Sequence, residues 1–384
     1  MNTETQNPAS TPKQQNTNHL SEWKKVKLGD VVTFQRGYDL TKNQMKNGQV
    51  PVAGSNGIIG YHNQSTTKGP GVTIGRSGNI GTAHFYKTDF WAHNTVLFVK
   101  EFNLSEPKFI YYFLKTIDFT QFNAGSSVPT LNRNHIHQLD FLLPPLPEQQ
   151  AIAEVLSSLD DKIDLLHRQN KTLEALAETL FRQWFIEEAD ERWEDVSLGN
   201  SELSTIISSG IREFEGEKIF LATGDVQDTL ITGGEKIRFN NRPSRANMQP
   251  VEYSVWFAKK GGVRKLLMFD DYSDINKHIL STGFSGLKTN ELSHYYIWCY
   301  VLSKEFQEIK DSLVSGSVQP DITNEGIKSI LIPKPDNQTL LKFNQLVKPW
   351  FIKIQKNNSQ IRTLTALRDT LLPKLMSGEV RVDF

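Results

Sequence analysis

Leu173-Glu-Ala175-Leu176-Ala-Glu-Thr179-Leu180-Phe181 returns 191 residues later as Leu364-Thr-Ala366-Leu367-Arg-Asp-Thr370-Leu371-Leu372. A repeat of such long period decides the fold before any single element does, because each copy has to form one structural unit. Working outward, the same offset of 191 joins Pro129-Thr-Leu131 and Ile136 to Pro320-Asp-Ile322 and Ile327. Near the start, Trp23-Lys-Lys-Val26-Lys-Leu28-Gly29-Asp30 answers to Trp193-Glu-Asp-Val196-Ser-Leu198-Gly199-Asn200, at an offset of 170. The two offsets differ by 21, so a tandem duplication carries that many extra residues in the middle of its second copy. The middles themselves, roughly 31 to 124 and 201 to 315, share no visible sequence similarity. Each copy runs from a Gly-rich, strand-like stretch through a Pro-bounded connector (Leu143-Pro-Pro-Leu-Pro147; Ile332-Pro-Lys-Pro335) into a long helical segment. In the first copy, Gly71-Val-Thr-Ile-Gly75 and Asn94-Thr-Val-Leu-Phe-Val99 read as strands between turn residues. The pattern predicts one scaffold carrying two different heads.

The helical segments are the most regular part of the chain. Ile152, Leu156, Leu159, Ile163, Leu166, Asn170, Leu173, Ala177, Leu180 and Trp184 alternate steps of four and three, the heptad signature of a coiled-coil seam. Shifted by 191, the seam becomes Phe343, Val347, Trp350, Ile354, Asn357, Ile361, Leu364, Arg368, Leu371 and Leu375. Pro349 is expected to kink or break the second helix and Pro373 to end it. Residues 148 to 185 carry a net charge of −3 and residues 336 to 375 carry +5, which favours pairing the helices with each other. Related repeats at both ends require that pair to be antiparallel, with a pseudo-two-fold axis. At 1.5 Å per residue the first helix is about 57 Å long, a ruler between the heads. Asn170 and Asn357 read as register-setting polar residues in the seam, the alternative being a simple defect in it. The alternative is that both segments are core helices of larger domains.

The chain has 384 residues, 38% of them hydrophobic, which is enough for real cores. Its 43 basic and 43 acidic side chains cancel, which excludes a uniformly basic coat. Resolved along the chain, the balance is +6 over 23 to 147, −6 over 148 to 192, −3 over 193 to 335 and +4 over 336 to 384. The single Cys299 excludes an internal disulfide or a multi-cysteine metal site. With no long apolar run and no export signal at the N-terminus, a cytoplasmic protein is expected. Residues 1 to 22, dominated by Asn, Gln, Thr, Ser and Pro, read as a disordered tail.

Catalytic motifs are missing. There is no phosphate loop of the Gly-x-x-x-x-Gly-Lys-Ser/Thr type, and Gly75-Arg-Ser-Gly78-Asn-Ile-Gly81 suits tight turns better than a dinucleotide fingerprint. The Asn-Pro-Pro-Tyr/Phe tetrapeptide of adenine methyltransferases is absent, and Asp160-Asp-Lys162 sits on the helix as a solvated charge group. His62, His84, His93, His135 and His137 are scattered; His135 and His137 could ligate a metal, but no second pair completes a site. Binding signals are better. Arg36, Lys42, Lys46, Lys68, Arg76 and Lys87 sit among Gly, Asn and Ser. The second middle clusters Arg238, Arg242 and Arg245, then Lys259, Lys260, Arg264 and Lys265. Of these, Arg36, Lys68, Arg76, Lys87, Arg242, Arg245, Lys259, Lys260, Arg264 and Lys265 are the candidate DNA contacts, since basic side chains beside glycine suit loops approaching phosphates and base edges.

The chain resembles the DNA specificity subunits of type I restriction-modification systems. The likeness runs from Trp23 to about Val382. It rests on the two Trp-x-x-Val-x-Leu-Gly anchors, on Gly75 to Gly81 followed by Phe90-Trp91, and on Leu143-Pro-Pro-Leu-Pro-Glu-Gln-Gln-Ala-Ile152. In the second copy it rests on Pro243-Ser-Arg-Ala246, Ser281-Thr-Gly-Phe284 and Leu371-Leu-Pro-Lys-Leu-Met-Ser-Gly-Glu379, with Asp336-Asn-Gln338 departing from the Pro-Glu-Gln-Gln pattern. The resemblance implies an α/β (α+β) fold: target recognition domains over 23–147 and 193–335, and spacer helices over 148–192 and 336–384. Each domain would read half of a bipartite asymmetric site in double-stranded DNA. The chain itself would be non-catalytic. Two methyltransferase subunits would bring S-adenosylmethionine, and two restriction subunits would bring ATP and Mg. Two rivals remain, a self-contained methyltransferase or nuclease with a cryptic active site, and a coiled-coil adaptor without a DNA role.

Overall fold

The computed structural model describes residues 23–122, 130–314 and 321–382. The tail expected over 1–22, and Pro129 and Pro320 of the repeat, lie outside the described residues. The chain divides into two compact units, Met1–Asp164 with Arg362–Phe384, and Leu165–Ile361.

The first unit holds β1 (Lys24–Lys27), α1 (Leu28–Val31), β2 (Val32–Arg36), β3 (Val50–Gly54), β4 (Gly57–His62), β5 (Gly71–Gly75), β6 (Ala83–Tyr86), β7 (Trp91–Ala92) and β8 (Val96–Phe102). Then come α2 (Pro107–Lys115), α3 (Arg133–His137), β9 (Asp140–Leu143) and the first half of α4 (Leu146–Arg182). An antiparallel sheet of order β2-β8-β5-β6 lies beside a second of order β4-β3-β7, in which β3 and β7 are parallel. β1 pairs with β9. All five positions of the interior strand β5 are buried, which explains its unbroken apolar reading. Its last position is glycine because a Cβ there would run into the Asn79 carbonyl. Helix α2 starts at Glu106, whose carboxylate accepts the Lys108 N–H, and buries Phe109, Ile110, Tyr112 and Leu114. These join β2, β5 and β8 in one core.

The second unit holds β10 (Asp195–Ser197), β11 (Ser204–Ile206), β12 (Lys218–Leu221), β13 (Val226–Gln227), β14 (Leu230–Ile231), β15 (Glu235–Ile237), β16 (Ala246–Met248), β17 (Ser254–Ala258) and β18 (Leu266–Phe269). It continues through β19 (His278–Ser281), β20 (Phe284–Thr289), α5 (His294–Leu302), α6 (Lys304–Ser312), α7 (Asn324–Ser329), β21 (Leu331–Pro333) and α8 (Asn337–Ser377) as far as Ile361, and it includes α4 from Leu165 on. Its main sheet, β11-β20-β17-β18, repeats β2-β8-β5-β6 strand for strand. β12 meets β15 antiparallel and β19 parallel, as β3 meets β4 and β7, and β10 pairs with β21 as β1 pairs with β9. The second copy adds the hairpin β13–β14 and the strand β16. The middles that share no sequence therefore share a topology.

All ten positions of each heptad run are buried or half-buried. Within the first unit, Asp160 of α4 accepts a bond from Arg368 of α8 at 2.7 Å and another from the Tyr112 hydroxyl at 2.7 Å. Within the second, Asn170 faces Asn357 while Phe181 faces Phe343, so the helices run antiparallel there. The Asn357 amide donates to Asn170 at 2.8 Å, and the Asn170 amide donates to Asn358 at 2.7 Å. Neither a break at Pro349 nor an end at Pro373 occurs: α8 is a continuous helix through both prolines and ends only at Ser377. Each proline is exposed, and so are Gln345 and Asp369 one turn earlier, so the carbonyls that lose a partner face water. Packing of Phe343, Val347, Phe351 and Ile354 on the opposite face offsets the local cost.

The two long helices start differently. At the start of α4 the buried Glu148 accepts the Trp23 indole N–H at 2.9 Å and two bonds from Arg381, whose guanidinium lies over the Trp23 ring. Gln149 ties down the Glu106 N–H and the Pro144 carbonyl. At the start of α8, Asp336 caps the helix instead, accepting the Gln338 and Thr339 N–H groups and holding its carboxyl below the usual range.

Candidate nucleic-acid interface

In the first unit the basic side chains gather where β2 and β5 end. Arg36 closes β2 and pairs with Asp39 at 3.6 Å, both largely exposed. Asp39 also accepts the Asn94 amide. Arg76 follows β5 with its backbone fixed on both sides: its N–H donates to Thr95 at 2.8 Å, and its carbonyl accepts from Leu131 at 2.9 Å. Its side chain is half-buried, and among the described residues no carboxylate reaches it. Burial and the Arg36 guanidinium both push its pKa down. Two like charges with one peripheral counter-ion form a site suited to an outside acceptor. The chain then turns through Gly78 and Gly81, both at positive φ, over Ser55 of the β3–β4 turn. His84 of β6 bonds to the Ser55 backbone, and burial lowers its pKa. Tyr38 and Trp91 meet edge to face beside Arg36, and Ile58, Ile59 and Tyr61 of β4 are exposed.

The other predicted contacts of this unit lie elsewhere. Lys68 pairs with Asp89 at 3.0 Å, and Lys87 pairs with Asp161 of α4 at 3.3 Å. Lys42 and Lys46 are exposed. His137 is used inside the fold, its Nε2 accepting the Phe34 N–H at 3.0 Å, which satisfies edge strand β2. His62 accepts the Lys46 N–H in the same way, and His93 bridges Thr95 and the Leu40 carbonyl. Among the described residues no group of three or more His, Cys, Asp or Glu could hold a metal. Cys299 is buried in α5, where desolvation raises its pKa well above the ordinary thiol value.

In the second unit, Lys259 follows β17 as Arg76 follows β5. Its N–H donates to Gly283 at 2.9 Å and its carbonyl accepts from Ile322 at 3.0 Å. The Arg245 carbonyl accepts the Thr282 N–H at 2.9 Å, so Arg245 and Lys259 flank one turn, Thr282-Gly283. Arg245 and Lys260 are exposed and Lys259 is half-buried. Three candidates are engaged by their own unit instead. Arg242 lies 4.0 Å over the Phe239 ring and donates to the Phe239 carbonyl. Arg264 pairs with Asp228 and reaches the Leu302 carbonyl, and Lys265 donates to the Thr223 carbonyl. Sequence reasoning missed Tyr38, Asn94 and Ser55. An aromatic two residues after Arg36 was the available signal for Tyr38.

Residues 20–175 match the family described as the type I restriction modification DNA specificity domain. The chain is 30% identical over 316 residues to the MjaIX type I restriction enzyme specificity subunit of Methanocaldococcus jannaschii, covering 72% of this chain and 69% of that one. It is 20% identical over 360 residues to the HindI specificity subunit of Haemophilus influenzae, covering 72% of this chain and 78% of that one. Its fold is similar to the crystal structure of the S subunit of a type I restriction-modification system from M. genitalium. The TM-score is 0.61 at 17% identity, covering 97% of this chain and 99% of that one.

Proposed function

Because the chain belongs to the specificity subunits of type I restriction-modification systems, which recognise DNA sequence, we propose that its modules 23–147 and 193–335 each read one half of a bipartite site. The observation that carries this reading is the duplicated sheet, which presents basic side chains beside the same turn in both units while the rest of the two middles diverges. Arg36, Arg76, Arg245, Lys259 and Lys260 face the duplex, with a few base contacts and phosphate contacts from the others. Lys68 and Lys87 join them readily, since exposed ion pairs are worth about 1 kcal/mol or less and yield to a phosphate. The helical segments 148–192 and 336–384 set the spacer. They also dock two methyltransferase subunits, which bring S-adenosylmethionine, and two restriction subunits bring ATP and Mg. The chain itself contributes recognition and no turnover.

Mapping methylated adenines made by the assembled complex tests this directly, because it returns both half-sites and the spacer. Inserting one heptad into α4 alone should shift the spacer or abolish binding. An unchanged spacer would remove the helices as its determinant. Methyl transfer or cleavage by the purified chain without partners would overturn the non-catalytic reading.

A further inference from the structure

The loops Arg76–Thr82 and Lys259–Lys265 have different sequences and the same framework. Each leaves an interior strand, β5 or β17, and enters its edge partner, β6 or β18. In each, the first residue is clamped through its N–H to the turn before the next interior strand, at Thr95 or Gly283, and through its carbonyl to Leu131 or Ile322. The second residue bridges to the preceding position of the same segment, Ser77 to Thr130 and Lys260 to Asp321. This clamp fixes where the first side chain is rooted. Arg36, Lys68, Lys87 and Arg264 each have a carboxylate, whereas Arg76 and Lys259 have none among the described residues.

We infer that Arg76 and Lys259 occupy one and the same base-reading position in the two units, and that they read it with different stringency. A planar guanidinium meets the O6 and N7 of guanine with two bonds in a fixed geometry, so Arg76 fixes a guanine in the first half-site. An ammonium is a compact charge whose three N–H donors rotate freely and impose no planar geometry on their acceptors, so Lys259 tolerates more than one base at the matching position of the second. The inference rests on the reading that each module serves one half-site.

The test exchanges the two side chains in the full chain, assembled with its methyltransferase subunits, and profiles methylation on a library randomised across both half-sites. Arg76→Lys should lower the preference for guanine at one position of the first half-site by about tenfold, leaving the second half-site and the spacer unchanged. Lys259→Arg should sharpen one position of the second half-site toward guanine. A uniform loss across all sequences in Arg76→Lys would make Arg76 a phosphate contact and overturn the inference, as would unchanged profiles in both variants. If the wild-type complex showed no two-part site, the underlying reading would fall as well. A two-part site with unmoved profiles would sink this inference alone.

Discussion

The first unit anchors its long helix with a buried ion pair, and the second anchors its own with a surface cap. Trp23, Glu148 and Arg381 converge on the start of α4, whereas Asp336 alone starts α8. The strand order around both is the same. A duplicated topology is thus compatible with different local chemistry at equivalent points, provided the backbone groups at each helix start find partners. What the middles of the two copies have in common is strand pairing and burial rather than residue identity.

The largest test of this contrast is Arg381→Ala. Glu148 is fully buried, so removing its partner strands a charge and should cost about 3 kcal/mol or more in urea unfolding of the full chain. An effect below 1 kcal/mol would mean that the indole alone holds the carboxylate. Second in size is a pH effect confined to the second unit. His294 is buried at the start of α5, with its Nδ1 beside the Thr289 hydroxyl, and burial lowers its pKa to about 4. A depressed pKa contributes stability that is complete above the unfolded value near 6.5 and is lost as pH falls toward 4. Between pH 7 and 5 the loss should be about 2 kcal/mol, and His294→Gln should flatten it. An identical pH slope in both proteins would refute the assignment.

Arg76→Ala should weaken discrimination in one half-site by about 1–3 kcal/mol, measured as relative methylation of cognate and mismatched duplexes. The smallest effect is expected for Asp336→Ala, at about 1 kcal/mol, because water can replace a cap on an exposed helix end. If Asp336→Ala and Arg381→Ala cost the same, the two anchors would be energetically equivalent and the contrast between the units would be broken.

The heptad seam was legible because its spacing is local and periodic, and none of its positions proved exposed. The common topology of the middles was not legible. Strand order depends on pairings far apart in sequence, and a strand such as Gly71–Gly75 or Ser254–Ala258 tells only that it is buried on both faces. At Pro349 and Pro373 local propensity predicts a break and a stop, and the helix continues because each proline lies on its exposed face, which the sequence does not reveal. Charge composition marked both basic loops but could not separate Arg76, which meets no carboxylate among the described residues, from Arg264, which pairs with Asp228.

The clamp around Arg76 and Lys259 has a consequence for how such a chain can change. Folding information lies in the backbone bonds at the entrance of each loop and in the strands on either side. The seven residues between strands differ between the two copies, which fill them with Arg-Ser-Gly-Asn-Ile-Gly-Thr and Lys-Lys-Gly-Gly-Val-Arg-Lys. Within that window exposed positions such as Asn79 and Lys260 can change at little cost to stability, whereas Gly81, where a Cβ would run into Phe119, and Arg264, paired with Asp228, cannot. Under the proposed reading, a change at such an exposed position would alter one half-site and leave the other as it was.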